Sequence, residues 1–463
     1  MSTTVTPETT DTCESSLPTP LQRGGAMSSR VWRIASRFGT DATFQKSVLS
    51  IFDQAVVSGT SFVTSVIVGR TCGTTELGAY YLALSVVFFV RGIQEQLVFA
   101  PYMIYCGRRH GDEAAHYAGS SLVHQLVVSG LAALVMLGIG ISGLAPATFT
   151  SILWLLLGIV PLLMMREYVR QISFAHLEPR AAVAVDMLVA AVQLSVLLAL
   201  ALSGNLSTPI ALAVMAGSAG IAAAAWLFFK SQTFDVGLIR AYRDWIHNWT
   251  FARWALASQL LACSTPYVMP WIVALTQGET ETGILGACAT LVGLSNMFML
   301  GLSNYLSPRA ARAYAEGGTG ALRGVLRQTA MIYGVSLGGL MIGSFLLGSQ
   351  VASLVYGQSM PGASLLMGVL SLSVLANSMG VTSGNGLWAM EKPSASFWAD
   401  LASLLIVIGS TIVLIPLLGT LGAALATACG TVSDAVIRTW ILRRMMAAED
   451  QVALAKSPEV APQ

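Results

Sequence analysis

The hydrophobic positions of this chain fall in long unbroken runs. Neither strand alternation nor the one-sided periodicity of a soluble helix describes them. Twelve runs reach the length, about 20 residues, that an α-helix needs to cross the hydrocarbon layer of a membrane. They span Val48–Val68, Leu77–Tyr105, Tyr117–Leu144, Ile152–Phe174, Ala182–Ser203, Pro209–Phe229, Ala252–Leu275, Gly283–Leu306, Val325–Gly348, Ala363–Met390, Phe397–Leu417 and Leu421–Arg443. The polar stretches between them are mostly short. The pattern predicts an all-α integral membrane protein of twelve transmembrane helices.

The first run and the turn after it recur further along. Gln54 to Gly78 reads QAVVSGTSFVTSVIVGRTCGTTELG, and Gln259 to Gly283, 205 residues later, reads QLLACSTPYVMPWIVALTQGETETG. Ten of the 25 aligned positions are identical: Gln54/Gln259, Thr60/Thr265, Val63/Val268, Ile67/Ile272, Val68/Val273, Thr71/Thr276, Gly73/Gly278, Thr75/Thr280, Glu76/Glu281 and Gly78/Gly283. A second pair, FAHLEPRAAVAVD and WAMEKPSASFWAD, sets Pro179 and Pro393 each seven residues before an Asp, Asp186 and Asp400. Six runs separate the two copies of the first pattern. An even number preserves orientation, so the halves are two six-helix lobes in a parallel pseudo-repeat. The expected divisions are a polar tail over 1–28, an interfacial amphipathic helix over 29–46, an N-lobe over 47–229, a cytoplasmic linker helix over 230–251, a C-lobe over 252–445 and a tail over 446–463.

Composition supports the membrane reading. The 463 residues are 54% hydrophobic and only 10% charged, with a mean hydropathy of +0.68; a soluble domain carries about 25% charge. All the Lys and Arg residues except Arg70 and Arg91 fall at alternate connections or the adjoining helix ends, starting from the N-terminus. By the positive-inside rule both termini are cytoplasmic. The outer connections are short and nearly free of basic residues, and no soluble active site fits in them. The N-terminal segment lacks the apolar core of a cleavable signal peptide. Its Arg30, Arg33 and Arg37 beside Val31, Ile34 and Phe38 suit an anionic membrane surface. Basic residues form no patch for nucleic acid. The six cysteines show no metal-ligand spacing, and no phosphate-binding GxxxxGK[ST] motif occurs. No cofactor is implied.

Ionisable residues inside spanning helices are costly and mark candidate sites. Arg91 and Glu95 lie four apart on one face of the second run, about 21 Å into it at 1.5 Å per residue. They read either as a self-satisfied pair or as a cation facing a cavity, tuned by the carboxylate. The 205-residue offset carries Arg91 to Asn296, Asp53 to Ser258 and Gln54 to Gln259. Substrate-binding candidates are Arg91, Gln54, Gln259, Asn296 and Asn377; ion-coupling candidates are Asp53 and Glu95. Arg166, Glu167 and Arg170 read as a cluster at an inner helix end, in contact with lipid phosphate or snorkelling to the interface. Asn377, Gly380, Gly384, Asn385 and Gly386 make the tenth run Gly/Asn-rich, which suggests gating or close packing.

The segment DQAVVSGTSFVTSVIVGRTCGTTELGAYYLALSVVFF resembles the first two helices of bacterial polysaccharide-export flippases of the multidrug/oligosaccharidyl-lipid/polysaccharide flippase superfamily. REYVRQISFAHLEPRAAVAVD is similar to that family's junction between helices 4 and 5. The resemblance, over about residues 45–445, implies two lobes around a central cavity and alternating access. It implies no enzymatic activity. It implies a polyprenyl-diphosphate-linked oligosaccharide carried to the periplasmic leaflet of the bacterial inner membrane, for surface polysaccharide biosynthesis. Expected partners are that lipid-linked oligosaccharide, membrane lipids, and glycan polymerase and glycosyltransferases, with the protein itself a monomer. The family's cavities tend to be cationic, whereas this chain offers only Arg91, offset by Glu95. The alternative is a cation-coupled multidrug or metabolite antiporter of the same fold.

Overall fold

A computed structural model describes residues 42–106, 109–143, 147–390 and 392–456 of the chain. The described residues form helices and connections, with no strand among them. In chain order the helices are α1 Ala42–Cys72, α2 Thr74–Tyr105, α3 Asp112–Ser142, α4 Ala147–Ala175, α5 Pro179–Leu202, α6 Thr208–Lys230, α7 Leu238–Gln277, α8 Glu279–Gly293, α9 Ser295–Tyr356, α10 Ala363–Ala389 and α11 Pro393–Lys456. Helix α9 is broken at Gly317 and Gly318, and α11 at Gly419, where φ turns to 58°.

Ten of these segments are long and apolar enough to cross a membrane, or eleven if α8 and the Ser295–Ser303 turn beyond it, bent by 42°, form one span. The expectation of twelve is thus not met in full among the described residues, and the shortfall lies at α7. That helix is 40 residues long, but it opens on the polar stretch LIRAYRDWIHNW and carries Pro266 and Pro270 inside. The linker helix expected over 230–251 is not a separate element. A short 3₁₀ turn at Ser231–Thr233 is followed by α7, which runs without a break from Leu238 through Ala252. The tail expected from 446 is helical as far as Lys456. The tail over 1–28 and the interfacial helix up to residue 41 lie outside the described residues.

One large core runs through the N-lobe and on into C-lobe side chains such as Val273, Cys288 and Tyr356, and smaller ones lie within the C-lobe. In the N-lobe, Tyr80, Tyr102, Tyr117, Tyr168, Leu156 and Ile172 are fully enclosed, with Tyr102 stacked on Tyr117 at 5.3 Å. In the C-lobe, Leu306, Leu322, Leu387 and Leu442 join α9, α10 and the second half of α11. The outer faces are the reverse of a soluble protein's. Leu131, Phe228, Val335 and Leu417 stand exposed, which hydrocarbon tolerates and water does not.

The repeated stretch has a physical explanation position by position. Gly73 and Gly278 both sit at φ 91°, where a side chain would strain the backbone, and both turn the chain into the next helix. Thr71 and Thr276 close the preceding helix by bonding the carbonyls of Ile67 and Ile272 at 2.6 and 2.8 Å. Glu76 and Glu281 accept hydrogen bonds from Thr208 and Thr420, at the starts of α6 and of the second half of α11. Val68 and Val273 are wholly buried. Thr75 and Thr280 meet each other, hydroxyl to hydroxyl at 2.8 Å. Residues related by the repeat touch only near the axis that relates the lobes, so this contact marks that axis.

Candidate functional site

Between the lobes lies a cavity of about 1020 Å³. The N-lobe lines it with α1 and α2, the C-lobe with α7, α8 and the start of α9, and Ala423, Ala424 and Thr427 of α11 also reach it. Its polar groups are mainly hydroxyls and amides, among them Gln54, Ser58, Ser61, Ser85, Gln259 and Thr265. Phe62, Phe88, Tyr267, Met297 and Leu300 supply apolar wall, with Phe88 and Tyr267 facing each other at 6.1 Å. Among the described residues, its charged lining residues are Arg91 and Glu95.

One end of the cavity is sealed where α2 crosses α8. A Cβ at Gly78 would overlap the Glu279 carbonyl oxygen, and a Cβ at Gly283 would overlap that of Thr74, so only glycine permits this approach of two backbones. Further in, the Tyr81 ring occupies the space at Gly286, its own position in the other repeat. The Tyr81 hydroxyl bonds Thr290 at 2.6 Å, and the Tyr356 hydroxyl meets Ser65 at 3.3 Å. Outside this layer, Arg70 donates from Nε to the Val355 carbonyl at 2.6 Å and from a second nitrogen to Leu354. These are among the last carbonyls of α9, which the helix itself leaves unbonded. Gln358 returns a bond to the Gly69 carbonyl at 2.6 Å. The seam is therefore backbone contact on the axis plus a clasp of α1 on the end of α9.

Four of the five substrate-binding candidates from the sequence, Gln54, Arg91, Gln259 and Asn296, line the cavity together; Asn377 is exposed on α10 and is not part of the lining. Of the ion-coupling candidates, Glu95 lines the cavity, whereas Asp53 is fully buried behind its wall.

The expected Arg91–Glu95 pair is replaced by another. Arg91 bonds Glu167 of α4 at 2.9 Å, and α2 widens into a π-turn from Glu95 to Phe99. Such turns recur at functional sites. Glu167 Oε1 also accepts from Arg170 at 3.2 Å and from Gln171 at 3.0 Å. Arg170 continues to Asp53 of α1 at 2.7 Å and to Asp186 of α5 at 2.9 Å, and Arg166 also pairs with Asp186. Three arginines and three carboxylates thus form one chain of contacts, with Asp53 and Asp186 at zero exposure. The neutral sum explains how so much charge is held inside an apolar lobe. Arg166 and Arg170 face into the lobe and do not snorkel to an interface. Sequence reading did not join the α4 arginines to these acids. The signal lay in two lone acids, Asp53 and Asp186, inside spanning helices, and in two arginines at i, i+4 on a third.

The C-lobe solves the same problem from a different helix. The offset from Asp186 to Asp400 is 214, and it carries Arg166 and Arg170 to Gly380 and Gly384. A Cβ at Gly380 would stand 2.7 Å from the Asp434 carboxylate, and one at Gly384 2.8 Å from the Arg438 guanidinium. Arg438 binds Asp434 at 2.8 Å and also pairs with Asp400. At Gly386 the space is taken by Leu326 and Leu442. The glycines of α10 are therefore a packing surface for its neighbours.

No protein-family model matches the sequence, and a comparison with curated protein sequences finds no match. Solved structures do match. The lipid II flippase MurJ in an inward closed conformation gives a TM-score of 0.69 at 14% identity, over 90% of this chain and 94% of that one. An inward-facing multidrug resistance MATE family transporter of the MOP superfamily gives 0.68 at 14% identity, over 85% and 95%. The fold is that of MOP superfamily transporters. An outward-facing multidrug resistance MATE family transporter of the same superfamily scores 0.57, at 14% identity over 88% and 95%.

Proposed function

We propose that this protein is an alternating-access transporter of twelve spans. In this reading it flips a polyprenyl-diphosphate-linked oligosaccharide from the cytoplasmic to the periplasmic leaflet of a bacterial inner membrane, for surface polysaccharide synthesis. The observation that carries the reading is the cavity itself. It is sealed at one end by the Thr75–Thr280 seam and lined by hydroxyls and amides around one half-exposed cation, Arg91. Hydroxyls and amides suit passing sugars, and a guanidinium suits a diphosphate. With the basic connections on the cytoplasmic side, the sealed seam is periplasmic. The state is then inward-facing, and the higher scores against inward conformations support this. Gln54, Gln259 and Asn296 bind sugar in this reading, with Asn377 reached in another state, and Asp53 or Glu95 couples an ion. A glycan polymerase and glycosyltransferases act beside the protein, which works as a monomer without a cofactor.

The test is export of glycan in cells that lack the native copy. Arg91→Ala is expected to reduce export at least tenfold while the protein still reaches the membrane; full export would remove Arg91 from the site. A second reading, a cation-coupled antiporter of drugs or metabolites, is favoured by Glu95 and the Phe88–Tyr267 pair, which suit an organic cation. Gradient-driven efflux of a cationic dye from proteoliposomes decides for that reading.

A further inference from the structure

The cavity's cation is not free to give its whole charge to a ligand. Arg91 has one nitrogen on Glu167, and its side chain is 35% exposed, against 7% for Glu167. Arg91 keeps further donors, because a guanidinium has five N–H groups in a fork. Glu167 is itself held. Its Oε1 takes bonds from three donors, and Arg170 ties it to Asp53 on α1 and Asp186 on α5. Gln54, which lines the cavity, lies 3.4 Å from the same Arg170 guanidinium. A carboxylate so anchored cannot swing away when another anion arrives.

We propose that Glu167 is the built-in counter-ion of an anion site centred on Arg91, sharing that cation with the ligand's diphosphate so that binding stays weak enough for release. The inference rests on the flippase reading above. It assigns Glu167 a positioning and tuning role without contact to the ligand. Two carboxylate-like groups on one guanidinium repel each other across it. At about 7 Å and an effective dielectric near 20, that repulsion lowers anion affinity by at least about tenfold. A transporter gains from this, because a site that holds its cargo too well does not let it go.

The experiment uses the purified full-length protein in nanodiscs, with farnesyl diphosphate as the charged probe, farnesol as the uncharged one and ethidium as the organic cation. Glu167→Gln removes the competing charge. It is expected to bind farnesyl diphosphate about tenfold more tightly, to bind farnesol unchanged, and to turn over more slowly in a flipping assay. A merely structural role would weaken binding and turnover together. Glu167→Asp keeps the buried charge for Arg170 but withdraws it from Arg91. It is expected to tighten diphosphate binding two- to threefold and serves where the Gln variant does not fold. Binding of farnesyl diphosphate that is unchanged or weaker in both variants overturns the inference and leaves the flippase reading intact. A wild-type protein that binds ethidium and ignores farnesyl diphosphate overturns both.

Discussion

The Gly78–Gly283 crossing gives the sharpest test of the seam. At Gly78 an added Cβ would overlap the Glu279 carbonyl oxygen and stand 3.1 Å from the Gly283 nitrogen. Neither neighbour is a flexible side-chain end that can rotate away. The methyl of Gly78→Ala therefore forces the two helices apart, at a cost of about 1–3 kcal/mol by the general measure for overpacking. That cost falls on the sealed state alone, because the clash is between lobes. The ratio of sealed to open molecules should then fall by about 5- to 150-fold. The readout is a disulfide between Thr75→Cys and Thr280→Cys, whose native hydroxyls lie 2.8 Å apart, in a background freed of Cys72 and the other native cysteines. Cross-linking should be fast in that background and slow once Gly78→Ala is added. Gly283→Ala should act alike, and the double variant should fall short of the sum, since both methyls relieve the same approach. Unchanged cross-linking in folded Gly78→Ala would refute the claim that these backbones touch.

The buried charge chain and the N-lobe end make further tests. Arg170→Ala leaves Asp53 and Asp186, each at zero exposure, without their shared cation. Thermal unfolding in detergent should show a loss of about 3–5 kcal/mol, whereas Arg323→Ala, whose pair with Asp450 is exposed, should move the melt far less. Arg438→Ala should fall between the two, because its partner Asp400 is half exposed. His176, in the turn between α4 and α5, bonds the Tyr102 hydroxyl at 2.8 Å, and burial lowers its imidazole from the ordinary histidine value, with Glu178 opposing and Lys230 adding a smaller push downward. Protonation therefore favours the unfolded chain. Stability should fall as pH drops through about 6.5, and His176→Gln should flatten that limb of a melting curve taken from pH 5 to 8.

How much was legible depended on whether a residue's partner lay along the chain or across space. The apolar runs fixed the helices, because spanning a membrane is a demand on composition and length. Gly73, Gly78, Thr75 and Glu76 could be singled out, because each recurs with the same local task in the second copy. Arg91 and Glu95 stand out by their cost in an apolar helix; of the two readings, a mutual pair or a cation facing a cavity, the pair gives way to Arg91–Glu167, while both residues line the cavity. Spacing of four residues predicts a contact only if nothing better stands on the next helix, and Glu167 does, held in place by Arg170 and Gln171. The count of spans differs at α7, one unbroken helix with Pro266 and Pro270 inside, which is not among the segments apolar enough to cross.

The difference between the lobes carries more information than their likeness. Asp186 and Asp400 occupy matched places, yet the N-lobe supplies arginine from α4 and the C-lobe from the second half of α11. The exchange is reciprocal. Where α4 has Arg166 and Arg170, α10 has Gly380 and Gly384; where α11 has Asp434 and Arg438, the same offset of 214 finds Gly220 and Ala224 on α6. On α10 the missing side chains leave room for Asp434 and Arg438, whereas the space at Gly220 on α6 is met by Leu162. The choice of helix decides which lobe brings charge to the cavity. Helix α4 sets Glu167 against Arg91 of α2 and Arg170 between Asp53 of α1 and Asp186 of α5, with Arg166 also on Asp186, and Arg91 extends that network into the cavity. The C-lobe cluster of Asp400, Asp434 and Arg438 contributes no residue to the cavity lining, and the C-lobe offers Asn296 where the N-lobe has Arg91. A repeat in which one lobe joins its buried charge to the cavity and the other keeps it apart has two electrostatically unequal halves.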